Sequence, residues 1–224
     1  MSEERGGGAP AGPGEAGPES DVPAAAREEI VGAVMRALAE HGYAGLTTKK
    51  VAAESEKSEA FLFYHYDTKE ALVLAFLEWA VDRLSARLRA AGTGEDPVER
   101  LYAACEVLLG DVDDDVDRGV NVAMMELLSH APHNEAFHDR LVAYERAVVA
   151  DLAAILAAGV ETGVFRDVDP ESVAAFLVVA TDGTAGAVMA LGLRDVGDAV
   201  REQVFGYLEE LVLAEGVEPP PGYR

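Results

Sequence analysis

Cysteine is almost missing from this chain: Cys105 is the single one in 224 residues. That excludes an intrachain disulfide and fits a reducing cytoplasm. Lysine is nearly as scarce. The chain carries only Lys49, Lys50, Lys57 and Lys69, all in one short segment. In total 18 basic residues face 41 acidic ones, a formal charge of −23. A strongly acidic field works against a polyanionic partner, but its distribution is uneven. Across residues 44–69 the four lysines are balanced by Glu54, Glu56, Glu59 and Asp67, so that stretch is neutral in an otherwise acidic molecule. Aromatics make up only 7%, and long alternating β-branched stretches are missing, which argues against sheet. No uninterrupted apolar run approaches the roughly 20 residues of a membrane span, so no membrane partner is expected. The opening MSEERGGGAP has no basic region leading into an apolar one and does not read as a signal peptide. An acidic, lysine-poor surface suits a halophilic cytoplasm; an ordinary acidic soluble protein is the alternative.

What is present is apolar and helical. Half of the residues are hydrophobic, enough for one substantial core and no more than two domains. Residues 1–20 are Gly-, Pro-, Ala- and Glu-rich and read as a disordered tail, as do residues 216–224, GVEPPPGYR. Between them the punctuation is dense. Ser20 or Asp21 caps a first helix with Pro23 in its opening turn, Ile30, Val34 and Leu38 form its stripe, and Gly42 stops it. Thr47 or Thr48 caps a short helix carrying Val51, and Ser58 caps another through about His65. Asp67 with Glu70 forms an acidic capping box before a long helix over 68–90. Further helices are expected from Asp96-Pro97, over 118–130 after a solvated GDVDDDVDRG connection, over 134–161, over 170–192 and over 198–215. The fold class is therefore all-α, about nine helices with no strand.

The segment 48–66, TKKVAAESEKSEAFLFYHY, reads as short helix, tight turn, short helix. Val51 and Leu62 pack inward while the second helix presents its outer side chains. Such a helix fits a major groove about 12 Å wide, where its early residues reach base edges. The longer stretch LTTKKVAAESEKSEAFLFYHYDTKEALVLAFL resembles the signature of the TetR family of dimeric repressors, with Thr48, Val51, Ala52, Ser58, Leu62, His65, Tyr66, Thr68, Lys69, Glu70 and Leu72 matching it. GVETGVFRDVDPESVAAFLVVATDG is similar to the sensing domain of the betaine-regulator-like branch.

The resemblance implies a helix-turn-helix DNA-binding domain over 21–67 and a helical ligand-binding and dimerisation domain over 68–215. It also implies a homodimer whose last two helices pair as a four-helix interface, a near-palindromic double-stranded DNA operator, and an unidentified small-molecule effector. Base-reading candidates are Glu59, Ala60, Phe61 and Tyr64; phosphate-facing candidates are Thr48, Lys49, Lys57, Ser58, His65 and Lys69. Three positions depart from the family pattern. Glu56 stands where the turn usually has glycine, so it takes an uncommon φ or a different turn. Lys57 replaces the apolar turn residue. Phe63 replaces a phosphate-touching tyrosine; core packing suits it equally well, and Tyr64 or Tyr66 is left to make that contact.

Other features invite sharper chemistry. His130, His133 and His138 in LLSHAPHNEAFHDR raise a metal site, but Pro132 splits them and Asn134 is a ready helix cap, so capping and surface roles are expected. Cys105 lies on an apolar stripe with no nearby base and reads as core. Candidates for lining an effector site are Tyr102, Met124, Leu128, Tyr144 and Asp182; packing is the alternative for the methionine and leucine, and solvent or a dimer interface for Asp182. No nucleophile–base arrangement or nucleotide loop stands out, so neither an enzyme nor a cofactor is expected. The alternative function is a small-molecule or protein-interaction module whose DNA reader has decayed, favoured by Glu54, Glu56, Glu59 and Phe63.

Overall fold

The computed structural model describes residues 22–91, 96–111 and 113–223. The expected N-terminal tail over 1–20, with its Ser20 or Asp21 cap, lies outside the described residues. Those residues form nine α-helices: α1 Ala24–Gly45, α2 Thr48–Ala53, α3 Glu59–His65, α4 Lys69–Ala91, α5 Pro97–Leu109, α6 Asp115–His130, α7 Glu135–Thr162, α8 Pro170–Ala185 and α9 Arg194–Tyr207. A 3-10 turn over Ala131–His133 joins α6 to α7, and π-helical segments Gly186–Ala190 and Leu208–Val212 extend α8 and α9. The only β feature among the described residues is one antiparallel bridge between Phe165 and Leu213.

Short polar side chains set most helix starts. Thr47 accepts from Lys50 N, Ser58 from Phe61 N, Asp96 from Val98 N and Asn134 from Phe137 N, each satisfying an orphan first-turn donor. Three starts differ from expectation, that of α9 by opening at Arg194 rather than 198. At α4 the hydroxyl of Thr68, not Asp67, accepts from Ala71 N at 3.1 Å, and Glu70 reaches across to Asn134 Nδ2 at 2.6 Å. Helix α6 begins at Asp115 rather than 118, because Asp114 accepts from both Val116 N and Asp117 N. The acidic run is thus partly helical, and its Asp117 is buried at 4% exposure.

The core divides into two clusters. The first joins Ile30, Val34 and Leu38 of α1 with Val51, Leu62, Leu72, Phe76, Leu127 and Phe137. The second joins Leu101, Cys105, Leu152, Leu156, Leu177, Val204 and Leu208. Helices α4 and α7 run through both, contributing Phe76 and Phe137 to one and Leu88 and Leu152 to the other. Helix α8 with its π extension, Pro170–Ala190, is long and apolar enough by composition to cross a membrane, although Glu171 and Asp182 interrupt its apolar run. One of its faces, with Val173, Leu177 and Val178, belongs to the second core.

The chain beyond α9 packs on the body, and part of it, Val217 to Tyr223, lies in the stretch expected as a disordered tail. Arg166 N and Ala214 N donate to Val212 O and Val164 O, and Arg166 Nε donates to Leu213 O at 2.7 Å. Tyr223 then lays its ring against Tyr102 and Phe205, with centroids 5.1 and 5.0 Å away. The aromatic ring supplies apolar area that the composition of GVEPPPGYR conceals.

Candidate functional site

Leu62 anchors α3 with no exposed surface, and Val51 does the same for α2. The seven residues of α3 therefore turn one face inward and offer Glu59, Ala60, Phe63 and Tyr64 to solvent. Tyr64 is 76% exposed and Phe63 50%, so Phe63 is not the core residue its chemistry allowed. Tyr66 is buried at 3%, which removes it as the stand-in hydroxyl and leaves Tyr64. Phe61 is half-buried and packs on the first core, with its ring 4.6 Å from that of His65. His65 is itself half-buried, with Nδ1 enclosed and unpartnered among the described residues. Thr48 is buried at 9% at the start of α2, and Ser58 is exposed as the α3 cap.

The turn between α2 and α3 dispenses with glycine. No residue but glycine has positive φ among those described, so Glu56 takes a different turn rather than a strained one. Glu29 of α1 organises it. Its carboxylate accepts from Ser55 Oγ at 2.9 Å and Glu56 N at 2.7 Å, and pairs with Lys57 Nζ at 3.0 Å. The hydrogen bonds from Lys57 and Ser55 hold the Glu29 carboxyl below its ordinary range. Sequence reading missed Glu29, since it lies one helix away and looks like any solvated glutamate.

The lysines are mostly engaged within the chain. Lys57 pairs with Glu29 and sits 5.9 Å from the Phe61 ring centroid. Lys50 Nζ donates to Gly45 O at 2.8 Å, and Lys69 Nζ to Tyr43 O at 3.1 Å. Arg36 ties itself to Glu54 through the backbone oxygen and the carboxylate. Lys49 is exposed, and among the described residues its side chain has no hydrogen bond or ion pair.

A cavity lies at the seam of the two cores, bounded by α4, α5, α6, α7 and α8. The room it leaves is about 100 Å³, tight beside the several hundred of a typical organic ligand's site. Met124, Leu128, Tyr144 and Asp182 all reach it, together with Met125, Val120 and Leu108. Tyr102 does not. It faces the opposite side of α5, 1% exposed and stacked on Phe205 with centroids 5.4 Å apart.

The cavity wall is charged in two places. Asp117 accepts from Arg83 Nη2 at 2.9 Å and from Arg87 Nη1 at 2.8 Å, joining α4 to α6. Burial raises the Asp117 carboxyl, but the hydrogen bonds from Arg83 and Arg87 outweigh it and hold the group low. On the other wall Glu145 of α7 and Asp182 of α8 share a hydrogen bond. Burial, then the charge of Asp182, pushes Glu145 up to about 7. Asp182 keeps exposed surface, yet burial raises its carboxyl too.

The histidines make local contacts. His130 Nε2 lies 3.3 Å from Glu126 Oε1, His138 Nδ1 lies 3.1 Å from Asp139 Oδ1, and His133 sits in the 3-10 turn. The Cys105 thiol is fully buried and pushed up to about 12 by that burial.

Comparison with known proteins agrees with this geometry at both ends of the chain. Residues 30–76 match the family described as bacterial regulatory proteins, tetR family, and residues 97–213 match that described as BetI-type transcriptional repressor, C-terminal. The transcriptional repressor AcnR of Corynebacterium glutamicum is 28% identical over 189 residues, covering 82% of this chain and 95% of its own. A TetR transcription regulator from Haloarcula marismortui is 35% identical, with TM-score 0.74 over 83% of this chain and 97% of that one. A regulator from Saccharomonospora viridis, solved in complex with choline, is 24% identical with TM-score 0.76, covering 86% of this chain and all of that one. The exposed outer face of α3, its cap-defined start and the two family matches converge: the chain belongs to the TetR family of helix-turn-helix transcriptional regulators.

Proposed function

We propose that this regulator binds a near-palindromic operator as a homodimer and releases it when a small molecule enters the cavity between the two cores. The observation that carries the reading is the position of that cavity. It touches α4 and α6, which share the first core with the DNA-reading helices, and α8, which belongs to the second. A ligand that fills the seam selects a relation between the two cores, and it lowers operator affinity if it binds the released arrangement more tightly. Residues 21–67 serve as the reading head and 68–215 as the sensing and dimerising body.

Phe176, Val179, Val196 and Leu211 on α8, α9 and its extension are all at least 40% exposed, an apolar face suited to pairing with the same helices of a second copy. Two α3 helices then enter successive major grooves, with half-sites about 34–36 Å apart. Glu59, Ala60 and Tyr64 meet base edges, Phe61 supports them from behind, and Thr48, Lys49, Ser58 and His65 meet the backbone, with Lys57 acting chiefly on the turn and Lys69 on the Tyr43 carbonyl. Tyr144, Glu145 and Asp182 give the cavity a partly anionic wall that favours a cationic effector, and Met124 and Leu128 give it an apolar one. Choline, the ligand of the Saccharomonospora relative, is the first probe. The setting is a cytoplasm, and the charge of −23 suits a salty one.

The test is a DNA-binding titration against the intergenic region beside the chain's own gene, in salt that keeps the dimer folded, with Tyr64→Ala and Lys49→Glu in parallel. Specific binding lost in both variants supports the reading. So does a shallow salt dependence, since each phosphate contact adds a slope of about −0.9 in log units. A slope implying six or more contacts contradicts the assignment of internal roles to the other lysines. A second reading, a sensing module with a decayed DNA reader, is favoured by Glu54, Glu56 and Glu59 around the turn. It prevails if a folded dimer binds no specific DNA.

A further inference from the structure

Helix α1 breaks at Gly42, where φ is +63° and ψ 168°, and resumes for a last short turn to Gly45. The break strips the next amide, that of Tyr43, of its helical acceptor, and an amide left bare at such a place has to find another. It donates to Glu126 Oε1 on α6 at 2.7 Å, across 83 residues of sequence. The approach is close: a Cβ on Gly42 would stand 3.0 Å from that same oxygen, so glycine supplies both the φ and the room. The carbonyl and ring of Tyr43 are also held from the body. Its carbonyl accepts from Lys69 Nζ at 3.1 Å at the start of α4. Its ring packs edge-on against Phe137 of α7 at 5.1 Å and beside His130 at 4.9 Å. Three residues on, Leu46 is buried and the chain enters α2 and α3.

We infer that Glu126 is the positioning residue through which α6 sets the angle of the DNA-reading head. Met124, Met125 and Leu128 on the same helix line the cavity, while Glu126 points to the α1 break. A shift of α6 on filling the cavity therefore moves the acceptor of the Tyr43 amide: the joint is clamped with the amide on Glu126 Oε1, which His130 Nε2 also approaches at 3.3 Å, and released when that oxygen moves out of reach. This gives the coupling a physical element that both sites bias. It rests on the ligand-response reading above, but the clamp itself can be measured without an effector or DNA.

The experiment measures hydrogen exchange at the Tyr43 amide and operator affinity in the full-length dimer, for Glu126→Ala, Glu126→Gln, Gly42→Ala and Leu108→Trp. The last narrows the cavity from α5, where Leu108 lines it. Glu126→Ala is expected to raise Tyr43 exchange and weaken operator binding by about tenfold each, a loss in the range of one charge-assisted hydrogen bond. Glu126→Gln, which keeps an acceptor, restores most of both. Gly42→Ala reproduces the defect with the carboxylate intact. Leu108→Trp changes Tyr43 exchange in the parent protein and not in Glu126→Ala. Exchange and affinity in Glu126→Ala equal to the parent's overturn the inference, as does a Leu108→Trp effect of the same size in both backgrounds. If the parent binds no operator the regulatory reading fails, and the exchange measurements still decide the clamp.

Discussion

Replacing Glu145 by glutamine should stabilise this protein in mild alkali and do nothing for it in mild acid. The Glu145 carboxyl rises from 4.5 to about 7, first through burial and then through Asp182, whose charge and hydrogen bond both oppose its ionisation. At 1.36 kcal/mol per pH unit that rise sets a ceiling of about 3.4 kcal/mol. Glu145 is only half-buried, so solvent screening reduces the figure to about 1–2 kcal/mol. The folded protein holds this proton more tightly than the unfolded chain does. Its contribution is therefore complete below pH 4.5 and lost as pH rises through about 7. Glutamine never ionises, so the variant avoids the loss.

For a chain of this size each kcal/mol moves the melting temperature by roughly 2–4 °C. The expected gain for Glu145→Gln is thus about 2–8 °C at pH 8.5 and near zero at pH 5. The assay is thermal melting across pH at fixed protein and salt concentration, since dimerisation links Tm to both. Asp182→Asn should act in the same direction, and the two gains should fall short of adding because the pair titrates as a unit. Equal gains at both pH values, or a loss at pH 8.5, refute the reasoning, because neither follows from a carboxyl pair sharing a proton.

Three further outcomes follow from packing. Gly159→Ala places a Cβ 2.0 Å from Phe165 Cδ2, inside the contact that supports the Phe165–Leu213 bridge; it should cost at least about 2 kcal/mol, seen as a large fall in Tm. A Tm within a degree of the parent's would mean that Phe165 moves aside freely. Tyr223→Ala should cost about 1–2 kcal/mol by uncovering Tyr102 and Phe205, and unchanged denaturant melting would show that the C-terminal segment does not pack. The Cys105 thiol, raised to about 12, should resist alkylation at pH 8 until denaturant is added; rapid labelling of the native protein would place it outside the core.

Much of the fold was legible because helices advertise themselves locally. The i, i+4, i+8 stripe of Ile30, Val34 and Leu38 is buried as read, and Thr47, Ser58, Asp96 and Asn134 cap the helices that follow them. What escaped depends on distant partners. Asp67 fits a capping box as well as Thr68 does, and only Asn134, 64 residues beyond Glu70, decides where Glu70 goes. Asp117 looked like one more acid in a solvated run until Arg83 and Arg87 arrived from α4. Tyr102 and Tyr144 are indistinguishable as tyrosines on helix stripes, and the facing helix sends one to the core and the other to the cavity. The reading helix was located by its anchors, Val51 and Leu62. Which of its side chains stand free was not, because Phe61 and Phe63 differ only in the direction they leave the helix.

The internal employment of Lys50, Lys57 and Lys69 bears on how such a protein searches a genome. Sliding along nonspecific DNA requires a film of mobile cations around the phosphates to be displaced by protein cations, and here most of those cations already serve carbonyls and a carboxylate. On the proposed reading few cations are then left to hold the molecule on random sequence, and it is expected to sample DNA by repeated collision from solution, each brief encounter ending unless α3 finds its site. A regulator built this way trades speed of one-dimensional search for a larger freely diffusing pool.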